Sequence, residues 1–152
     1  MASTLTTVRT VRDLRGHVAA WRKAGETVAL VPTMGALHEG HLSLVALAKS
    51  KAEHVVVSIF VNPIQFGPRE DFGHYPRDEK GDLAKLAKAG ADLVFAPDTA
   101  EMYPQGFSTY GRGGDLTEDL CGAARPNHFD GAATVVAKLL LQCLPDLAVF
   151  GD

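Results

Sequence analysis

Cysteine is scarce in this chain of 152 residues, with only Cys121 and Cys143. Neither has a Cys or His partner close in sequence, which argues against a disulfide framework and against a C-x-x-C metal or redox site. Cys143 falls on the apolar face of a predicted helix and reads as a small buried hydrophobe, while Cys121 sits in a glycine-bearing loop. Positive charge is also in short supply. The 15 Lys and Arg are outnumbered by 18 Asp and Glu, for a net charge of −3, and they are scattered along the chain, so nothing indicates a nucleic-acid surface. No apolar run approaches the roughly 20 residues that span a bilayer. The opening Met-Ala-Ser-Thr-Leu-Thr-Thr lacks the charged-then-apolar pattern of a signal peptide, so a cytoplasmic protein without membrane contact is expected. Internal repeats and low-complexity stretches are absent too. So are the usual phosphate motifs. There is no Gly-x-x-x-x-Gly-Lys-Ser/Thr, and Gly111-Arg112-Gly113-Gly114 places Leu116 where a dinucleotide fingerprint needs its last glycine.

What remains is the composition of an ordinary globular domain, 46% apolar and 22% charged, long enough to bury a core. Val11, Leu14, Val18 and Trp21 recur at helical spacing, with Thr10 as N-cap and Gly25 as stop. Thr27–Val31 reads as a strand whose run Val28-Ala29-Leu30-Val31 is apolar on both faces. A helix from Leu42 to Ala52 follows a loop, and the β-branched run Val55–Val61 is a second strand. Asn62-Pro63 ends it. Leu83, Leu86 and Ala87 mark a helix closed by Gly90, Leu93–Pro97 a short strand, and Gly106–Gly114 a hairpin or extended edge. Val136, Leu139, Leu140 and Cys143 form an amphipathic helix, and Leu147–Phe150 a last buried strand. Strands alternating with helices call for an α/β, Rossmann-like fold: an open parallel sheet with helices on both faces. Ligands bind such sheets beyond the carboxyl ends of the strands. Three informative segments lie at those ends and are expected to converge: Pro32–His41, Asn62–Gly67 and Phe150–Asp152.

The first of them carries most of the information. Pro32-Thr33-Met34-Gly35-Ala36-Leu37-His38-Glu39-Gly40-His41 links the first apolar strand to the helix after it. Histidines at positions 38 and 41 share one face of a first helical turn, whose unpaired N–H groups and dipole favour an anion. Gly35 and Gly40 allow a bulky ligand to approach the backbone. A zinc helix would need the two histidines four apart and a third ligand, so zinc is not indicated. A plain alternative is that His38 and His41 merely cap a turn. In the absence of a P-loop lysine, imidazoles are the candidate donors to phosphate oxygens. Placed there, they would stabilise charge developing on an α-phosphate under attack, which points to adenylyl transfer with pyrophosphate leaving.

Four blocks in order then carry a resemblance. They are Pro32 to Val45; Val57-Ser58-Ile59-Phe60-Val61-Asn62-Pro63-Ile64-Gln65-Phe66-Gly67-Pro68; Glu70-Asp71-Phe72 with Tyr75-Pro76-Arg77; and Arg125-Pro126-x-His128-Phe129-x-Gly131 before Thr134-Val135-Val136-x-Lys138-Leu139. Together they resemble the pantothenate synthetase (pantoate–β-alanine ligase) family of the HxGH nucleotidyltransferases, over essentially the whole chain from about Leu30. The resemblance implies a homodimeric enzyme that joins pantoate to ATP, with Mg²⁺, and passes the pantoyl group of the adenylate to β-alanine. It assigns ATP to Met34, Gly35, Ala36, Leu37, His38, Glu39, Gly40 and His41, with His38 and His41 on the phosphates and His41 as proton donor. It assigns pantoate and β-alanine to Gln65, helped by Asn62 and by the loop around Pro32 and Met34. A carboxamide suits both substrates, being donor and acceptor at once. His128 would tie down its loop, and Asp82 would lie near the magnesium ion.

The sequence departs from the family pattern at its end. Phe150-Gly151-Asp152 is the start of a further ATP-binding segment, with Gly151 and Asp152 as its stub; the lysine and the second, smaller domain that follow in the family lie beyond it. Residues 1–152 are therefore expected to form the nucleotide-binding N-terminal domain, weakly active or inactive alone. Smaller departures are Arg69, Asn127 and Ala132. A non-catalytic nucleotide-binding or dimerisation module is the alternative. Adenylylation of another small substrate, such as a phosphopantetheine precursor, is disfavoured by the Asn62–Gln65 block.

Overall fold

The strand runs Val28–Val31 and Val55–Val57 are apolar on both sides, and the computed structural model shows what covers them. It describes residues 5–61, 78–103 and 126–151, with 126–133 placed as backbone only. In chain order the elements are β1 (Thr7–Val8), α1 (Val11–Lys23), β2 (Val28–Thr33), α2 (Glu39–Lys51), β3 (His54–Ile59), α3 (Glu79–Ala89), β4 (Leu93–Phe95), α4 (Thr99–Met102), α5 (Pro126–Cys143) and β5 (Leu147–Ala148). The described strands form one parallel sheet in the order β1-β4-β3-β2-β5. Alternate residues feed two cores. Val28, Leu30, Val56, Leu93 and Phe95 pack with Leu14 and Val18 of α1 and Val135, Leu139 and Cys143 of α5. Ala29, Val31, Val55, Val57 and Val94 pack on the other face with Val45 and Ala48 of α2 and Leu86 of α3. Helices on both faces are the arrangement expected of a sheet with no polar side.

Local chemistry sets the element ends. Thr10 Oγ1 accepts from the Asp13 amide at 3.1 Å to cap α1, and the chain leaves α1 through Gly25 at φ +79°. Asp78 caps α3 through the Gly81 amide, and Gly90, left-handed at φ +92°, ends it. The chain steps from β2 outward to β3 and β4, then crosses back through α5 to place β5 on the other side of β2. The order reverses between β2 and β5, and open α/β sheets bind ligands at such a reversal.

Several expected boundaries move. β2 runs on through Pro32 to Thr33, so Pro32 belongs to a strand rather than to the loop. Thr33 O accepts from the Phe60 amide on the β3 side, while Leu30 O accepts from Val149 on the β5 side. Even-numbered residues of β2 therefore face β5, whose pairing stops at Ala148, and the donor Pro32 lacks is one no strand would use. α5 begins ten residues before Val136, at Pro126, which puts residue 128 in a helical first turn instead of a loop. β3 ends at Ile59 rather than Val61, and β5 at Ala148 rather than Phe150. The two-residue β1 and the short α4 had no sequence pattern long enough to announce them. The Gly106–Gly114 segment lies outside the described residues.

Candidate active site

The turn from β2 into α2 is built against backbone preference. Gly35 has φ +86° and Ala36 φ +51°, and a non-glycine residue in that region carries on the order of 1–2 kcal/mol of strain. Asp82 of α3 offsets it. Its side chain is 2% exposed, and Oδ2 accepts from the Ala36 amide at 3.0 Å while Oδ1 accepts from the Leu37 amide at 2.9 Å. Hydrogen bonds to a charged group contribute roughly 1.5–3 kcal/mol each, so the pair outweighs the strain. Lys85, one turn further along α3, donates to Leu37 O at 3.0 Å. Thr33 Oγ1 donates to Ser58 O and accepts from the Gly35 amide, fixing the other end of the turn.

His38 is the N-cap of α2. Its Nδ1 accepts from the Gly40 amide at 3.0 Å, and Nδ1 of His41 accepts from the His38 amide at 3.2 Å, so the two imidazoles form a reciprocal cap. Their ring centroids are 4.1 Å apart. A backbone N–H can only donate, so each Nδ1 must carry a lone pair and each neutral ring carries its proton on Nε2. The cap thus sets both tautomers and leaves two Nε2–H donors on the first turn of a 13-residue helix. Desolvation lowers the pKa of His41, the neighbouring His38 lowers it further, and Asp82 opposes both. His41 is accordingly neutral at pH 7. Gly40 is required by this packing, because a Cβ there would stand 2.8 Å from Cε1 of His38. The plain reading of the histidines as turn caps is therefore right in itself, and it is how they become directed donors.

Of the residues singled out for nucleotide, Leu37 is buried, Met34 and Ala36 half-buried, and His38, Glu39 and Gly40 exposed, with His41 between. Met34 lines a cavity of about 240 Å³ together with Ile59 at the end of β3, Phe60 and Val61 beyond it, and Ala96 and Pro97 beyond β4. Asp78, Glu79, Asp82 and Asp98 add carboxylates to its wall. Gly151 also joins this end of the sheet: its Cα region abuts Leu44 of α2, with a would-be Cβ 3.2 Å from Leu44 Cδ1. Two of the three expected segments, Pro32–His41 and Phe150–Gly151, leave the neighbouring parallel strands β2 and β5 at the same end of the sheet. Asn62, Gln65 and Asp152 lie outside the described residues. Among those described, no three His, Cys, Asp or Glu converge on a metal position. Magnesium that travels with a nucleotide needs only one or two protein oxygens. Asp78 and Asp98, each accepting a cap amide at Oδ1, fit that need, whereas Asp82, expected near the magnesium ion, has both oxygens on the Ala36 and Leu37 amides.

What sequence reading missed is the part played by α3. Asp82 and Lys85 hold the turn by its backbone, and nothing local announces which backbone they hold. One signal was present: an aspartate at a position the helical pattern would bury, between Leu83 and the cap.

The profile of the pantoate-beta-alanine ligase family matches residues 6–152. The pantothenate synthetase of Paramagnetospirillum magneticum is 59% identical over 152 residues, 100% of this chain and 54% of that protein. That of Rhodospirillum rubrum is 60% identical over 144 residues, 95% of this chain and 51% of its own length. Among solved structures, pantothenate synthetase from Thermus thermophilus superposes with a TM-score of 0.81 at 51% identity, covering 95% of this chain and 51% of that one. Pantoate-beta-alanine ligase from Francisella tularensis, complexed with beta-gamma ATP and beta-alanine, gives 0.81 at 36% identity, covering 95% and 55%. The chain spans about half the length of the curated relatives it matches.

Proposed function

This chain belongs to the pantoate–β-alanine ligase family, and we propose that it forms the nucleotide-binding half of an ATP-dependent ligase that condenses pantoate with β-alanine. The observation that carries the reading is the pair of Nε2–H donors at the start of α2, beside the reversal between β2 and β5. Two Nε2–H donors at a helix N-terminus form a cradle for a triphosphate. In the reaction, a carboxylate oxygen of pantoate attacks the α-phosphorus, the bond from that phosphorus to the bridging oxygen breaks, and pyrophosphate leaves. The β-alanine nitrogen then attacks the acyl carbon of the mixed anhydride, AMP leaves with the bonding pair, and the ammonium loses its proton to give pantothenate.

His38 and His41 would hold the phosphates, with His41 donating through Nε2–H to the charge that grows as the α-phosphate is attacked. The Met34–Gly40 backbone would face the nucleotide. Gln65 and Asn62 would orient pantoate and β-alanine, a role supported by the resemblance of their block to the family pattern. Mg²⁺ would be held by Asp78 or Asp98 and by the phosphates themselves, neutralising triphosphate charge. Homodimerisation and a cytoplasmic location are proposed on the same family grounds; within the described residues, no helix is long and apolar enough to cross a membrane.

We propose further that residues 1–152 act as a domain with little synthetase activity alone, as they span about half of each relative. The test is a titration of this chain with Mg-ATP and then pantoate, following the histidine rings by NMR. Saturable shifts at His38 and His41 that move again with pantoate support the reading. No response at millimolar ligand overturns it for this chain, and pantothenate formation at a normal enzymic rate overturns the division of labour.

A further inference from the structure

Asp82 reaches from α3 to the turn before α2 and touches no imidazole. Its two carboxylate oxygens take the Ala36 and Leu37 amides at 3.0 and 2.9 Å, and Lys85 takes the Leu37 carbonyl at 3.0 Å. The clamp therefore acts on the residue at φ +51° and on the residue just before the N-cap. Gly35 is packed against the same carboxylate, since a Cβ there would stand 3.3 Å from Oδ2. The reciprocal cap depends on where this backbone sits. Nδ1 of His41 must meet the His38 amide, and that amide follows directly from Leu37.

We infer that Asp82 is a positioning residue, whose carboxylate holds the Ala36–Leu37 backbone so that His38 and His41 present their Nε2–H groups together. The inference rests on reading those groups as phosphate donors, yet the arrangement it describes exists without ligand. An α3 carboxylate makes the histidine pair a property of two helices rather than of one motif. Asparagine at the position keeps the size and removes the function: one oxygen still accepts, but the amino group faces the second backbone N–H, donor against donor.

The experiment compares ring ¹⁵N–¹H spectra of the ligand-free chain and its Asp82→Asn variant at pH 8, then titrates each with Mg-ATP. The expected result has three parts. His38 and His41 leave the pure Nε2–H pattern in the variant. His17 and His54, remote from the turn, keep their signals. Mg-ATP binds at least ten-fold more weakly. Adding Ala36→Gly to the variant relieves the left-handed residue and should restore part of the ring pattern, which a general loss of stability would not. A folded variant whose His38 and His41 signals superpose on the parent overturns the inference, as does movement of all four rings alike. Should Asp82→Asn not fold, Asp82→Glu is read by the same two criteria. Failure of the parent chain to respond to Mg-ATP would overturn the nucleotide reading instead, leaving the ring comparison to decide on Asp82.

Discussion

The His38 amide donates to Nδ1 of His41, while Nδ1 of His38 accepts from the amide of Gly40, two residues further on. Each histidine of the motif thus accepts from the backbone at Nδ1 and has no hydrogen-bond partner at Nε2 among the described residues. The spacing of three residues is what makes this possible, since cap and third helical position face each other across the first turn. A spacing of four, as in a zinc helix, would break the reciprocity.

His41→Asn should separate capping from donation. Its carboxamide oxygen can still accept from the His38 amide, but nothing replaces Nε2–H at the same reach. A lost hydrogen bond to a charged partner is worth roughly 1.5–3 kcal/mol, so Mg-ATP should bind about ten- to hundred-fold more weakly while the far-UV spectrum is kept. Isothermal titration of the two chains checks this.

Gly40→Ala should weaken binding without weakening the fold. The new Cβ would displace the His38 ring, forfeiting a cap worth ~1 kcal/mol, while alanine in place of glycine in a helix returns a similar amount. The expected outcome is a melting temperature within a few degrees of the parent and loss of the His38 response to Mg-ATP.

Acid should loosen the first turn of α2. The His41 pKa is lowered in the folded chain, chiefly by desolvation and then by His38, so the unfolded chain binds more protons in this range. The stability contributed is complete above the ordinary histidine value of about 6.5 and is lost as pH falls through the lower, folded value. Urea unfolding between pH 8 and 5 should show that decline, and His41→Asn should flatten its histidine-dependent part.

Burial pushes the Cys143 thiol up to about 12 and leaves it 1% exposed among Leu14, Val18 and Leu139. In a Cys121→Ser background the native chain should therefore resist a thiol-specific reagent at pH 8 and react fully in denaturant. Reaction at a free-thiol rate without denaturant would contradict the packing of α5.

Most of this architecture could be read from residue patterns because the strands are apolar on both faces and the helices on one. Val28–Val31 and Val55–Val57 could only be sheet interior, and Leu139 and Cys143 could only face it. Boundaries were harder. Pro32 reads as a strand breaker until one knows that β5 has already stopped beside it. β1 exists because the edge of β4 pairs with Thr7 and Val8, a tertiary fact with no local signal. In the site, the histidines stood out through their spacing, whereas Asp82 and Lys85 act on backbone groups forty-odd residues away in sequence, which no periodicity reports.

Pro32 has a consequence for the shape of the site. Because the residue offers no N–H toward β5, a longer fifth strand would forfeit a ladder hydrogen bond at this point, whatever its sequence. That gap in the ladder is set by a covalent ring rather than by a side chain that could rotate away. The chain after Ala148 therefore leaves the sheet at this point, and at Gly151 it lies against Leu44 of α2 rather than against β2.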